Sequence, residues 1–297
     1  MANSSENEDT IAGFAYALTA YLLWGFLPLF LKLVAHIPPV EVVAHRVIWS
    51  VPIAALVLIV SRRTDALLAA LKSPRTILMA MLAASLVAAN WAIYVWAIAT
   101  DRALDGALGY YINPLFSIFL ASVLLREKLS KAQMVSLGFA IAAVVVLTVD
   151  AGKLPIVSLA LTLTWGFYAF FKKSLPVGPN QGFMLEVLVL MPFGVAYAIY
   201  LGVTGQGHFL STTPTDTVLL LACGVVTAVP LLFYGNGAKG LRLTTIAMMQ
   251  YIAPTMIFII AVFVFREPFG SAKMIAFPLI WLSLAIYSAS LLRNRKS

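Results

Sequence analysis

Charge is what this sequence has least of. Only 11% of its 297 residues are Asp, Glu, Lys or Arg, and 62% are hydrophobic, whereas a soluble domain carries about 25% charged residues. So few polar side chains cannot cover a water-facing surface. In a bilayer the requirement disappears, because apolar side chains can face acyl tails. Cysteine is nearly absent. Cys223 stands alone inside an apolar run, which excludes an intramolecular disulfide and leaves a cysteine metal site unsupported. The sequence also lacks a P-loop, a metal-ligand spacing of His, Asp and Glu, and a nucleophile–base pair. No catalytic residue, metal or cofactor is therefore expected, and ATP-driven transport by this chain alone has no support. The opening MANSSENEDT has neither the basic n-region nor the cleavage site of a signal peptide, so Ile11 begins the first permanent span.

What is present is a series of apolar runs, each of the roughly 20 residues needed to cross a ~30 Å hydrocarbon core. Ten spans are expected, at 11–34, 40–60, 77–99, 104–125, 132–149, 154–171, 181–203, 216–238, 244–265 and 272–292. The breaks between them carry charged and turn-forming residues, which mark the water boundary. Ten spans fill the chain and leave no room for a separate soluble domain. The fold class is thus an all-α membrane protein. The net charge of +8 does not point to nucleic acid, because the cations lie in short connections. Fourteen of the 20 Lys and Arg residues fall on the side of the two termini, five on the other, and Arg46 inside the second span. This bias predicts that both termini, 1–10 and 293–297, are cytoplasmic.

The chain repeats itself at an offset of 140 or 141 residues. Trp24-Gly25 recurs as Trp165-Gly166, Pro52 as Pro192 and Tyr94 as Tyr234. Tyr111-Ile112 and Pro114 recur as Tyr251-Ile252 and Pro254, and Arg126-Glu127 as Arg266-Glu267. Each copy, 11–149 and 154–292, holds five spans. Five is odd, so the second copy enters the membrane from the opposite side. Inverted repeats are characteristic of secondary transporters, in which a central site opens to each side in turn. Duplication that only builds a stable bundle is the plainer alternative.

Several motifs carry a family resemblance across nearly the whole chain. They are Tyr21-Leu22-Leu23-Trp24-Gly25-Phe26, Glu41 to Ser50 with its His45-Arg46-Val47-Ile48-Trp49-Ser50, Asn90 to Ala97, and Gly109-Tyr110-Tyr111-Ile112-Asn113-Pro114-Leu115. By these the chain resembles the drug/metabolite transporter superfamily, in its EamA branch and RarD-type group. The resemblance implies a bacterial inner-membrane permease of ten helices with a central pathway. It supplies no substrate: members of the superfamily export amino acids, metabolites or drugs.

Candidate pathway residues are the intramembrane amides and aromatics: Trp24, Asn90, Tyr94, Tyr110, Tyr111, Asn113, Trp165, Tyr234, Asn236, Gln250 and Tyr251. Asn90 and Tyr94 are four apart and share a helix face. A buried amide needs a partner, and a pathway supplies water or substrate; interfacial anchoring is the competing reading for the Trp and Tyr residues. The glycines after Trp24 and Trp165 admit either a substrate or a packed helix. Intramembrane ionisable groups are functional suspects: Glu41, His45, Arg46 and Glu186. His45 lies one turn after Glu41, so the two can meet as a proton relay or as a structural pair. Arg46 can snorkel outward or pair with Glu41. Prolines Pro28, Pro52, Pro114, Pro192, Pro230, Pro254 and Pro278 within the spans free carbonyls and bend helices. The expected partners are a small-molecule substrate, the lipid bilayer and, as a coupling ion, protons. Two other readings stay open: a membrane enzyme acting on a lipid-linked substrate, and a non-transporting sensor or assembly subunit.

Overall fold

The computed structural model describes residues 9–124, 129–241 and 243–293, and among these no strand occurs. The helices are α1 (Ile11–Leu33), α2 (Pro39–Val60), α3 (Thr64–Leu71), α4 (Pro74–Ala99), α5 (Ala103–Leu124), α6 (Lys131–Ala151), α7 (Ile156–Lys173), α8 (Pro179–Thr204), α9 (Pro214–Gly237), α10 (Leu243–Met249), α11 (Ile252–Ile259) and α12 (Ser271–Arg293). Seven of them, α1, α2, α4, α6, α8, α9 and α12, are long and apolar enough to cross a bilayer. Helices α5 and α7 and the α10–α11 pair occupy the other three expected spans. The protein is an all-α membrane protein. Arg126, Glu127, Lys128, Arg242, Arg295 and Lys296 lie outside the described residues.

Local chemistry sets the helix ends. Thr10, Ser73, Ser130 and Thr213 each accept a bond from a backbone N–H in the first turn of the helix they cap, and the Ser130–Gln133 capping box is complete. Pro39, Pro74, Pro179 and Pro214 open their helices, where a missing N–H costs nothing. Gly152 and Gly205 close α6 and α8 with φ of 64° and 69°.

Two elements differ from the hydropathy reading. Helix α3, only eight residues long, lies between the second and third spans where a connection was expected. The ninth span is not one helix. It breaks at Gln250-Tyr251, continues as α11 and ends in a π turn over Ile260–Val264. Pro254 accounts for the break: it has no N–H, and its ring excludes the carbonyl four residues back, that of Gln250. Its repeat mate Pro114 sits inside an unbroken α5.

The main helix pairings recur when the two halves are exchanged. Helix α1 packs on α9 as α7 packs on α4; α2 packs on α9 as α8 packs on α4; α1 packs on α11 as α7 packs on α5. The equivalent helices α2 and α8 pack on each other, as do α6 and α12. Ser136 and Ser283 seal the α6–α12 pair, each hydroxyl donating to the other's backbone carbonyl at 2.6 and 2.5 Å. The glycines after the repeated tryptophans serve this packing. A Cβ on Gly25 would lie 2.4 Å from Met256 Sδ, and one on Gly166 would lie 2.3 Å from Phe116 Cδ1. Phe116 and Met256 are themselves 140 residues apart, so each half inserts a side chain into the other's glycine.

One end of the bundle gathers the loops after α1, α4, α8 and α11. Glu267 there accepts from Ala103 N at 2.6 Å and Leu104 N at 2.9 Å, capping α5 across the halves. Burial pushes its carboxyl up, and the two backbone donors pull it back only in part.

Candidate functional site

Three apolar clusters make up the core, and a cavity lies where they meet. It encloses about 750 Å³ of empty space, its open mouth included. Its wall is aromatic, with Tyr21, Trp24, Trp91, Tyr94, Tyr110, Trp165 and Tyr234 among the lining residues. The rings touch edge to face or tilted: Trp24–Trp165 at 6.1 Å between centroids, Tyr94–Tyr110 at 5.3 Å, Trp24–Tyr234 at 5.3 Å and Tyr110–Trp165 at 6.3 Å. Helices α1, α4, α5, α7, α9 and the broken α10–α11 supply this wall, and α2 contributes Arg46.

Arg46 is 3% exposed. It lies seven residues into α2, about 10 Å along the helix axis. Close contact between α2 and α9 fixes it. Gly224 meets the backbone of Trp49 so tightly that an added Cβ would lie 2.4 Å from it. One turn on, Thr227 presents its hydroxyl to Arg46 Nε, which donates to it at 2.9 Å. The guanidinium lies 4.8 Å from the Trp91 ring centroid, a cation–π contact. Its Nη1 has no hydrogen-bond partner. The expectation that Arg46 snorkels outward or pairs with Glu41 is therefore corrected: it points into the cavity.

Of the candidate pathway residues, Trp24, Asn90, Tyr94, Tyr110, Asn113, Trp165, Tyr234 and Gln250 line this cavity. Tyr111 and Tyr251 do not. They line a separate groove with Trp281 and Ser288, and Tyr111 shares a 2.8 Å hydrogen bond with Thr255. Asn236 is also elsewhere, donating to Asn180 Oδ1 at 3.0 Å and to the Leu232 carbonyl at 2.8 Å. Asn90 borders the cavity, yet its polar atoms are occupied by protein. It donates to the Leu161 carbonyl and Thr164 and accepts from Tyr110. Its amide holds α4, α5 and α7 together and does not wait for a substrate. Asn113 Oδ1 and the Tyr94 hydroxyl, by contrast, are buried without a partner.

The acidic candidates lie outside the cavity. Glu41 does not meet His45 as its spacing suggested. Its carboxylate accepts from His208 N at 2.6 Å and contacts His208 Nδ1 at 2.8 Å, because the loop after α8 folds over the start of α2. His45 Nδ1 accepts instead from Trp49 Nε1 at 3.0 Å. A second pair, His36–Asp216 at 2.8 Å, stands beside the first, with the two imidazole rings 6.1 Å apart. Glu186 is held by Lys172, 2.8 Å from each carboxylate oxygen, and accepts from the Tyr168 hydroxyl at 3.2 Å. Sequence reasoning missed His208, Lys172 and Thr227. Each lies far along the chain from its partner or on another helix, so spacing carries no signal of it. Tyr21 stood within a quoted motif without a role, and Trp91, for which lipid-facing anchoring was the competing reading, lines the cavity.

Comparison with known proteins agrees with this architecture. Residues 11–149 match the family described as "EamA-like transporter family". Protein RarD of Salmonella typhi is 36% identical over 94% of this chain and 95% of its own length. An "uncharacterized transporter" of Vibrio cholerae is 35% identical over 95% of this chain and 94% of its own. At 27% identity, the chloramphenicol-sensitive protein RarD of Pseudomonas aeruginosa aligns with 95% of this chain and 96% of its own length. A crystal structure at 19% identity superposes with a TM-score of 0.61 over 97% of this chain and 99% of the other, which speaks to the fold alone. The chain belongs to the EamA family of drug/metabolite transporters, as a RarD-type permease.

Proposed function

We propose that this permease is a secondary transporter that exports a small organic solute across the bacterial inner membrane by alternating access. Two inverted five-helix repeats, 11–149 and 154–292, form the two moving parts, and both termini are cytoplasmic. The observation that carries the proposal is the pairing of the cavity wall by the repeat. Trp24 and Trp165, and Tyr94 and Tyr234, stand 141 and 140 residues apart and line one chamber. Tyr110 and Gln250 hold equivalent positions there too. A chamber built in pairs by two halves of opposite direction can be released toward either side by the same rearrangement. The helix pairings shared by the two halves support the same reading. Gln250 and Pro254 at the helix break also line the chamber, in keeping with the discontinuous helices that build transporter sites.

The test is flux in proteoliposomes of the purified protein, screened with organic acids, amino acids, chloramphenicol and other metabolites, with and without a proton gradient. Uptake or release dependent on the protein is expected, and its response to the gradient reports whether protons are the coupling partner. If no solute in the screen moves in either direction, the permease reading is refuted. Glu186→Gln tests one coupling candidate: unchanged gradient dependence removes this carboxylate as the proton carrier.

A further inference from the structure

Among the described residues, Arg46 is the only charged side chain that lines the chamber, and no carboxylate lines it. The ion pairs among the described residues are Lys32–Asp101, His36–Asp216, Arg102–Asp105, Lys172–Glu186 and Glu41–His208, none of which involves Arg46. A guanidinium stays protonated at any relevant pH. A buried charge without a counter-charge is costly, and neither a threonine hydroxyl nor an indole face neutralises one. Arg46 lines the chamber, and its Nη1 is buried there without a hydrogen-bond partner.

We infer that the chamber recognises a small organic monoanion, a carboxylate on a planar apolar body, with Arg46 supplying the counter-charge. The inference rests on the transporter reading and names the solute class of that site. Two buried groups complete the recognition. The Tyr94 hydroxyl, without a partner, can donate to an oxygen of the carboxylate alongside Nη1. Asn113 Oδ1, also without a partner, accepts a hydrogen bond from a donor on the body. The rings of Trp24, Trp165 and Tyr234 line the chamber and offer that body an aromatic wall. A phosphate ester fits less well, because its second charge and additional oxygens would meet no further cation. An organic cation would face Arg46 across the chamber, a like-charge contact that disfavours binding.

The experiment uses the purified full chain in nanodiscs and three probes with one body: 4-hydroxyphenylacetate, 4-hydroxyphenylacetamide and tyramine, which are anionic, neutral and cationic. Binding is read by calorimetry. The carboxylate is expected to bind at least about tenfold more tightly than the amide, and tyramine most weakly. Arg46→Gln should abolish the preference of anion over amide, while Arg46→Lys should keep part of it. The wild-type comparison needs no variant, and a melting curve of each variant separates loss of binding from loss of fold. Equal or tighter binding of the amide or the amine, binding of none of the three, or a preference that survives Arg46→Gln would each overturn the inference. Flux separates this inference from the reading it rests on. If the anion binds with the stated preference but no solute crosses proteoliposomes, the transport reading fails and the anion site stands. If neutral solutes cross and Arg46→Gln carries them unchanged, transport stands and the anion site falls.

Discussion

At the scale of single residues, the halves are fitted together by the smallest side chain in the set. Gly25 and Gly166 leave room for Met256 and Phe116, and a close-packed interior has no slack to absorb an added methyl. Gly166→Ala should therefore lower stability by about 1–3 kcal/mol, measured as the thermal melting of detergent-solubilised protein. Phe116→Ala in the same chain should restore part of the loss, and failure to do so would place the strain elsewhere. The sequence carried the glycines and their repeat, but not the choice between a substrate and a packed side chain. That choice needs the position of a residue 50 positions from Gly166, or 231 from Gly25, and no local pattern encodes it. The same limit governs Glu41. Its spacing to His45 satisfies helix geometry, but a loop histidine 167 residues on satisfies the carboxylate with two donors.

At the scale of elements, hydropathy located nearly every helix, because the bilayer imposes one length and one composition on all of them. It passed over α3, whose eight residues are too few to register as a span. It drew the ninth span as continuous because a proline break leaves the apolar run intact. Helix α2 ends in a Schellman turn, with Arg63 N donating to the Leu58 carbonyl and Arg62 N to that of Ile59, both at 3.0 Å. The turn places exposed Arg62 at φ 53°, a conformation in which glycine is the usual occupant. Arg62→Gly should stabilise the protein by about 1 kcal/mol, read as a rise in melting temperature. A fall would mean that the arginine side chain contributes more than its backbone costs.

At the scale of the whole molecule, direction in the membrane is open to a direct test. Cys223 is fully buried, so the native chain should give little background with a membrane-impermeant maleimide. Ser61→Cys and Thr100→Cys place single thiols at the C-terminal ends of α2 and α4, at opposite ends of the bundle. In intact cells the maleimide should label the thiol at position 100 and spare that at 61, and inverted vesicles should give the reverse. The opposite pattern would put the termini outside. The lone charge of the chamber was visible in the sequence as an arginine within a span, but its lack of a partner emerges only when helices from both halves enclose it.

The carboxylate of Glu267 bonds the first two amides of α5, and it belongs to the other half of the chain. Those amides form the positive end of the helix, and inside a membrane protein they have few substitutes for that acceptor. Parting the segment 265–270 from the start of α5 would strip both amides of their acceptor and leave the Glu267 carboxyl without its two donors. Any rocking of one half against the other therefore either turns about this junction or bears the cost of breaking it.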